Sequence, residues 1–125
     1  MAESIAFCYP VKAGNEHKVE ELMKHLLETE RTGQHDRRSH ELGLEEVKVW
    51  RQRTPVDMVI VYLKGADVHA SMRKRATEGH EFDKWYDSMI EEITGVHVGG
   101  HHSEGPPSQL LFHWHHEKGH SRTHH

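Results

Sequence analysis

The order in which apolar patterns follow one another constrains the fold of this chain more than any other feature. Short runs typical of strands alternate with apolar stripes at helical spacing. Residues 44–53 show a period of two, and residues 57–64 are nearly continuous in apolar residues, which suggests that both faces of that strand are covered. The predicted order is strand, helix, strand, strand, helix, strand, over residues 4–9, 15–27, 44–53, 57–64, 80–94 and 110–116. This order predicts an α+β protein with a ferredoxin-like βαββαβ arrangement, in which one antiparallel sheet carries both helices on one face.

Helix ends are marked by residues with known capping preferences. Asn15 is predicted to cap the first helix, and Gly95 stands where a helix ends in a left-handed glycine. Asp67 is predicted to cap a further short helix that runs to Arg75. The residues that form the two long stripes are Val19, Leu22, Met23, Leu26 and Leu27, then Phe82, Trp85, Tyr86, Met89, Ile90 and Ile93.

The remaining segments are polar. Residues 31–43 are predicted to be a connection that continues the first helix by a turn at most. Residues 97–108 contain paired glycines and prolines and are predicted to be a flexible linker. We place the domain at residues 1–117 and predict that residues 118–125, a His-rich tail without apolar periodicity, are disordered.

One face of the predicted sheet has no helix to cover it. The side chains that we place on this face are Lys48, Trp50, Tyr62, Lys64, His113 and His115. A monomer that exposed these aromatic rings would carry an apolar patch, so a second sheet is expected to cover them. We therefore predict a homodimer with sheets face to face, a dimeric α/β barrel that encloses a cavity for a small-molecule ligand.

Composition excludes several classes of protein. The 125 residues allow one domain, and the formal net charge of −4 argues against a partner made of nucleic acid. No stretch approaches the roughly 20 apolar residues that cross a bilayer, and no secretory signal is evident, so we expect a cytoplasmic protein without membrane contact. Cys8 is the single cysteine. Neither a P-loop nor a dinucleotide fingerprint occurs in the sequence, so no nucleotide cofactor is expected.

Histidine is the residue type that most strongly suggests a functional site. Eight of the fifteen histidines lie in the last 25 residues. On a strand, His113 and His115 share one face while Leu110, Phe112 and Trp114 take the other. This spacing predicts half of a transition-metal site for zinc, copper, nickel or iron, with His80 as the candidate third ligand. The other candidates for that third ligand are His40, His69 and Glu46.

Without a metal, the same imidazoles can act as general bases near neutral pH. We predict catalytic roles for His113, His115 and Tyr62, and substrate contacts for Trp50, Lys48 and Trp85. The competing interpretation of the aromatic residues is packing in the core or at the dimer interface.

Several motifs resemble the dimeric α/β-barrel superfamily, over residues 4 to about 117. The strand Val56-Asp-Met-Val-Ile-Val-Tyr-Leu63 precedes the segment His80-Glu-Phe82-Asp-Lys-Trp85, which is similar to a motif of antibiotic-biosynthesis monooxygenases and to small uncharacterised actinobacterial proteins. The segment Phe112-His-Trp114-x-x-Glu117 is similar to the last strand of aromatic polyketide cyclases.

The resemblance implies a small-molecule enzyme that oxygenates, cyclises or isomerises an aromatic or unsaturated metabolite in a sheet-lined cavity, with His80 near the cavity mouth. A His-rich protein that binds a metal without catalysis is the alternative, as is a haem-binding protein with His80 as axial ligand. A plain dimerisation domain, in which His80 only caps its helix, is the third interpretation.

Overall fold

The structure of the protein is a computed structural model that describes residues 3–96, 108–116 and 119–121. Its elements are, in chain order, β1 (Glu3–Pro10), α1 (Glu16–Leu26), α2 (Thr29–Glu41), β2 (Leu44–Gln52), β3 (Met58–Gly65), α3 (Val68–Glu78), α4 (Glu81–Thr94), β4 (His113–His115) and β5 (Gly119–Ser121). The predicted α+β class is confirmed. None of the helices in the described ranges is long and apolar enough to cross a membrane.

Three strands form one antiparallel sheet in the order β1-β3-β2. Tyr62 at the centre of β3 is paired with Ala6 of β1 and with Lys48 of β2. The order of these three strands is compatible with the predicted ferredoxin-like arrangement.

The fourth strand differs from the prediction. β4 pairs with β5 in a separate two-stranded sheet, with His113 opposite Ser121. Only three residues of the predicted strand are extended and paired, and their partner lies a few residues along the chain, where loop closure costs little entropy. β5 lies within the segment that we predicted to be disordered, whereas residues 97–107 of the predicted linker and the rest of the tail lie outside the described residues.

The hydrophobic core lies between one face of the three-stranded sheet and the helices. Burial along β3 alternates, with Val59, Val61 and Leu63 buried and their neighbours only partly so. These three side chains pack with Leu22 of α1 and Ile93 of α4, both of which are completely buried. The period of two thus separates a core face from an open face, as predicted.

Helix ends follow the predicted capping residues in part. The Asp67 carboxylate accepts a hydrogen bond from the backbone N–H of Ala70 at 3.0 Å, which confirms the predicted cap of α3. Gly95 ends α4 with φ at 73°, a left-handed conformation that glycine adopts without strain. Asn15 is the N-cap residue of α1, as predicted, but its side chain makes no capping hydrogen bond. It donates instead to the carbonyl of Glu92 at 2.9 Å, which joins α1 to the end of α4.

The prediction for residues 31–43 was wrong, because α2 is a separate helix of 13 residues. Its sequence is almost entirely polar, so it lacks the apolar stripe by which helices are recognised. The face that it turns to the core carries Arg38, which is only 3% exposed. Ion pairs, described below, make this burial possible.

Candidate functional site

The open face of the sheet carries four of the side chains that the sequence placed there. Trp50 and Tyr62 contact each other edge to face with ring centroids 6.5 Å apart, and Lys48 Nζ lies 5.7 Å from the centre of the Tyr62 ring. Lys64 is on the same face, two residues beyond Tyr62. Trp50 is half exposed, so this face offers an aromatic surface to a partner or a ligand.

The His-x-His motif lies outside this sheet. His113 is exposed on β4, and the side chain of His115 lies outside the part of the chain described by the structure. Phe112 and Trp114 were predicted to face the helices, but they are 58% and 55% exposed. The prediction failed because it assumed that β4 joins the main sheet, which would have covered one side of each ring.

His80, the predicted third metal ligand, has a capping role at the start of α4. Its Nδ1 accepts a hydrogen bond from the backbone N–H of Phe82 at 3.1 Å, and its Nε2 lies 3.8 Å from the Glu41 carboxylate. Within the described ranges, no three His, Cys, Asp or Glu side chains are grouped so that they can hold a metal ion. Because the structure does not describe the side chain of His115, the metal site and the haem alternative stay predictions.

Trp85, a predicted substrate contact, lies on the helix side of the sheet. The Arg31 guanidinium sits over its ring at 4.1 Å, and the His25 and Phe82 rings lie 6.4 and 5.7 Å from it. It therefore packs where α1, α2 and α4 meet. Trp50 and Lys48 lie on the opposite face, so the structure does not bring the three predicted substrate contacts together.

A cavity of about 90 Å³ lies between the core face of the sheet and the helices α2, α3 and α4. We call it the core cavity. Its apolar lining comes from Phe7, Leu42, Leu44, Val47, Val61, Leu63, Met72, Phe82 and Ile90, and its polar lining from Tyr9, His35, Arg38, Ser39, Arg75, Asp83, Tyr86 and Asp87. So many polar groups inside the core require partners, since an unpaired buried charge is strongly destabilising.

Arg38 of α2 is neutralised by carboxylates from two other helices. Its Nε and Nη2 donate to Asp83 of α4 at 3.0 and 2.7 Å, and its Nη1 donates to Glu78 at 2.9 Å and to Glu41 at 3.2 Å. Burial by itself lowers the pKa of Arg38, but these hydrogen bonds outweigh it and raise the pKa further above its ordinary range. Arg38 therefore stays charged and ties α2 to α3 and α4.

Arg75 of α3 makes the second ion pair of the cavity. Its Nη1 and Nη2 donate to the two carboxylate oxygens of Asp87 at 3.1 and 2.8 Å, and its Nε lies 3.6 Å from Asp83. The guanidinium also lies 5.9 Å from the centre of the Tyr86 ring. Asp83 thus links the two arginines, so that the two guanidinium groups and their four carboxylate partners form one continuous network.

Two phenols, an imidazole and the hydroxyl of Ser39 complete the polar lining. Burial raises the pKa of Tyr86 to about 12, and burial followed by the charge of Asp87 raises the pKa of Tyr9. His35 contacts the edge of Phe82 with ring centroids 5.8 Å apart, and burial lowers its pKa below the ordinary 6.5. At pH 7 the cavity therefore presents a neutral imidazole that can accept a proton and two phenols that can donate hydrogen bonds.

The sequence predictions missed these groups for one physical reason. Polar residues were expected to face the solvent, because the partners that allow them to be buried are distant in sequence. Arg38 and Asp83, for example, are 45 residues apart. One local signal was present. Asp83, Asp87 and Ile90 have the spacing of a single helix face, and Ile90 had already been predicted to lie in the core.

Comparisons with protein-family models, with curated proteins and with solved structures found no match to this chain. The resemblance to the dimeric α/β-barrel superfamily therefore stays a prediction. Function has to be argued from the geometry of the site.

Proposed function

We propose that this protein is a small-molecule enzyme that acts on an aromatic or unsaturated metabolite, and that the substrate binds in the core cavity. The observation that carries the proposal is the convergence of His35, Tyr9 and Tyr86 on one cavity, where the remaining polar groups are Ser39 and the paired charges of Arg38, Asp83, Arg75 and Asp87. Clefts that are mostly apolar and contain a few convergent polar groups with shifted pKa values are typical of ligand and active sites. The sequence placed the cavity between two sheets of a dimer, whereas this cavity lies within one chain.

Proton transfer is the chemistry that these side chains can supply themselves. His35 is neutral at pH 7 and can take a proton from the carbon between a carbonyl group and a carbon–carbon double bond. The resulting dienolate oxygen accepts a hydrogen bond from the protonated hydroxyl of Tyr86, which stabilises the negative charge. His35 then returns the proton to the far end of the double bond, which completes an isomerisation without loss or gain of atoms.

The volume of the core cavity limits the substrate. Ligand pockets usually exceed about 300 Å³, and an apolar cavity of about 150 Å³ holds benzene, so a cavity of about 90 Å³ has to widen to admit even one ring. Met72 lines the cavity and has an unbranched, adaptable side chain that can shift for a larger ligand. We therefore favour substrates with a single ring.

The open face supports a second part of the proposal, a homodimer. Three adjacent strands present Ala6, Cys8, Trp50, Ile60 and Tyr62 on that face. A second copy of the chain offers the same surface, in which Lys48 and Lys64 lie beside the aromatic rings, and face-to-face packing would remove Trp50 from water. The core cavity lies on the other side of the sheet, so the dimer would support the site without forming its walls.

The function is tested with a panel of single-ring β,γ-unsaturated ketones and lactones. Isomerisation moves the double bond into conjugation with the carbonyl group, so product formation is followed by ultraviolet absorption. We expect His35→Gln to lower kcat/KM by about 10²–10⁴-fold, which is the usual contribution of a positioned general base. Tyr86→Phe should lower kcat by removing the hydrogen bond to the dienolate.

The matched control is His40→Gln, because His40 lies on the same helix but its side chain is 78% exposed. This variant should keep the activity of the unaltered protein. Val61→Phe, which places a larger side chain in the cavity wall, should abolish activity. Full activity of either His35→Gln or Val61→Phe would contradict the proposal.

A further inference from the structure

We propose that the core cavity accepts uncharged ring compounds and rejects both the anion and the cation of the same size. This inference assigns a ligand class to the site of the proposed function, and it rests on that proposal for the location of the ligand. It requires binding but not catalysis.

The first step is that both arginines of the cavity are already occupied. Arg75 uses both of its Nη atoms on Asp87, at 3.1 and 2.8 Å. Arg38 uses Nε and Nη2 on Asp83, at 3.0 and 2.7 Å. A carboxylate ligand would have to displace a built-in carboxylate that is held by two hydrogen bonds, so neither guanidinium is available to an anion.

The second step concerns the sum of charges around the two arginines. Glu78 and Glu41 also accept hydrogen bonds from Arg38, at 2.9 and 3.2 Å. Both of these carboxylates are about half exposed and neither lines the cavity. The charges that line it are two guanidinium groups and two aspartates, which balance, so an anionic ligand would add an unbalanced negative charge to this group. Desolvating that charge without a new partner is unfavourable.

The third step excludes cations. Asp83 is 4% exposed and contacts both Arg38 and Arg75, so its oxygens are shared between two guanidinium groups. Asp87 is engaged by Arg75 through both oxygens. An ammonium group in the cavity would meet carboxylates that are already paired, and it would lie near two fixed positive charges.

The ionisable side chains of the lining respond to the same surroundings. Burial raises the pKa of Tyr86 and of Tyr9 and lowers the pKa of His35, so in each case the neutral form is favoured. A cavity that favours the neutral form of its own groups should favour neutral ligands for the same reason. The hydroxyl groups of the two tyrosines remain as hydrogen-bonding groups for a ligand hydroxyl or carbonyl.

The test uses three probes of similar shape that carry different charges at pH 7: benzyl alcohol, benzoate and benzylamine. Binding is measured by chemical-shift changes of the cavity residues in two-dimensional NMR spectra of the full chain. Benzyl alcohol should shift the resonances of Val61 and Ile90, and both charged probes should bind at least about tenfold more weakly. Equal or tighter binding of benzoate or benzylamine, or the absence of any shift with benzyl alcohol, would overturn the inference.

A variant that keeps the shape of a side chain but removes its charge sharpens the test. Asp87→Asn keeps the shape of the side chain but leaves Arg75 without its bidentate partner, so we expect benzoate to gain at least about tenfold in affinity relative to the unaltered protein. The control is Asp57→Asn, which removes the carboxylate of the comparable Arg51–Asp57 pair, outside the cavity. Unchanged benzoate binding in a folded Asp87→Asn variant contradicts the inference, and if that variant does not fold, the three-probe comparison decides alone.

These outcomes separate the ligand class from the proposed function. Benzyl alcohol that binds to a protein inactive on every ketone and lactone of the panel would support the ligand class and contradict the proposed reaction. Benzoate that binds as well as benzyl alcohol to an active protein would overturn the ligand class and leave the reaction standing.

Discussion

The two faces of the three-stranded sheet differ in how far their chemistry follows from the sequence. On the open face, Lys48, Trp50 and Tyr62 lie where a period of two places them. On the core face, the same period places Val61 correctly, but it says nothing of the arginines that share its cavity. Strand alternation therefore predicts which face a side chain takes, whereas the polarity of a cavity depends on helices that pack from elsewhere in the chain.

The largest expected effect is on the core face. Asp83→Ala should lower the free energy of unfolding by about 3–5 kcal/mol, because it leaves Arg38 charged and buried without its main partner. The measurement is urea unfolding followed by circular dichroism. The control is Glu92→Ala, which breaks the more exposed Lys18–Glu92 pair and should cost about 0–1 kcal/mol.

Comparable losses in these two variants would show that the Arg38 network is solvated like a surface ion pair. The cavity would then lack the dry surroundings that the proposed chemistry requires. Ion pairs on the core face and on the protein surface would then contribute equally to the free energy of unfolding.

The fold was predictable wherever apolar residues recur with a fixed period. β2 and α4 were predicted from such periods, and both occur in the structure. α2 was not predicted, because the residue that it buries is Arg38, and an arginine is buried only when carboxylates from other segments pair with it. The candidate site was missed for the same reason, since its defining pairs join α2, α3 and α4.

The second prediction concerns the open face. Trp50→Glu places a charge on the aromatic surface and should raise the dissociation constant of the proposed homodimer roughly 30-fold or more, as expected for a loss of about 2 kcal/mol at a buried aromatic anchor. Sedimentation equilibrium measures this change. The fold of each chain should persist, because Trp50 makes no part of the buried core.

Trp114→Glu is the matched control, since Trp114 is 55% exposed and Trp50 is 50% exposed, and Trp114 lies outside the main sheet. It should leave the dimer unchanged. If the unaltered protein sediments as a monomer at micromolar concentration, no second copy covers the open face.

The third prediction uses the pH dependence of the core face. Burial lowers the pKa of His35 in the folded protein, so below the ordinary value of 6.5 the unfolded chain binds more protons at this position. The contribution of His35 to stability is therefore complete above pH 6.5 and is lost as the pH falls through the lowered pKa. His35→Gln should reduce the loss of unfolding free energy between pH 7 and pH 5.

Urea unfolding at several pH values measures the effect, with His40→Gln as the exposed control on the same helix. The control should retain the pH dependence of the unaltered protein, because its imidazole is largely solvated. Identical slopes for all three proteins would place His35 in water and remove it as a candidate base.

The smallest expected effect concerns the β4–β5 hairpin, which belongs to neither face of the main sheet. Deleting residues 118–125 removes β5 and leaves β4 without its paired strand. A two-stranded hairpin on its own is marginally stable in water, and Leu111, Phe112 and Trp114 are all more than half exposed, so little buried area is lost with it. We therefore expect the thermal midpoint to fall by about 1 °C or less, since a shift of about 4 °C requires roughly 1 kcal/mol in a domain of this size. A calorimetric scan that showed a fall of several degrees would mean that the hairpin stabilises the main sheet, and the separation between the sheet and the C-terminal segment would then have to be abandoned.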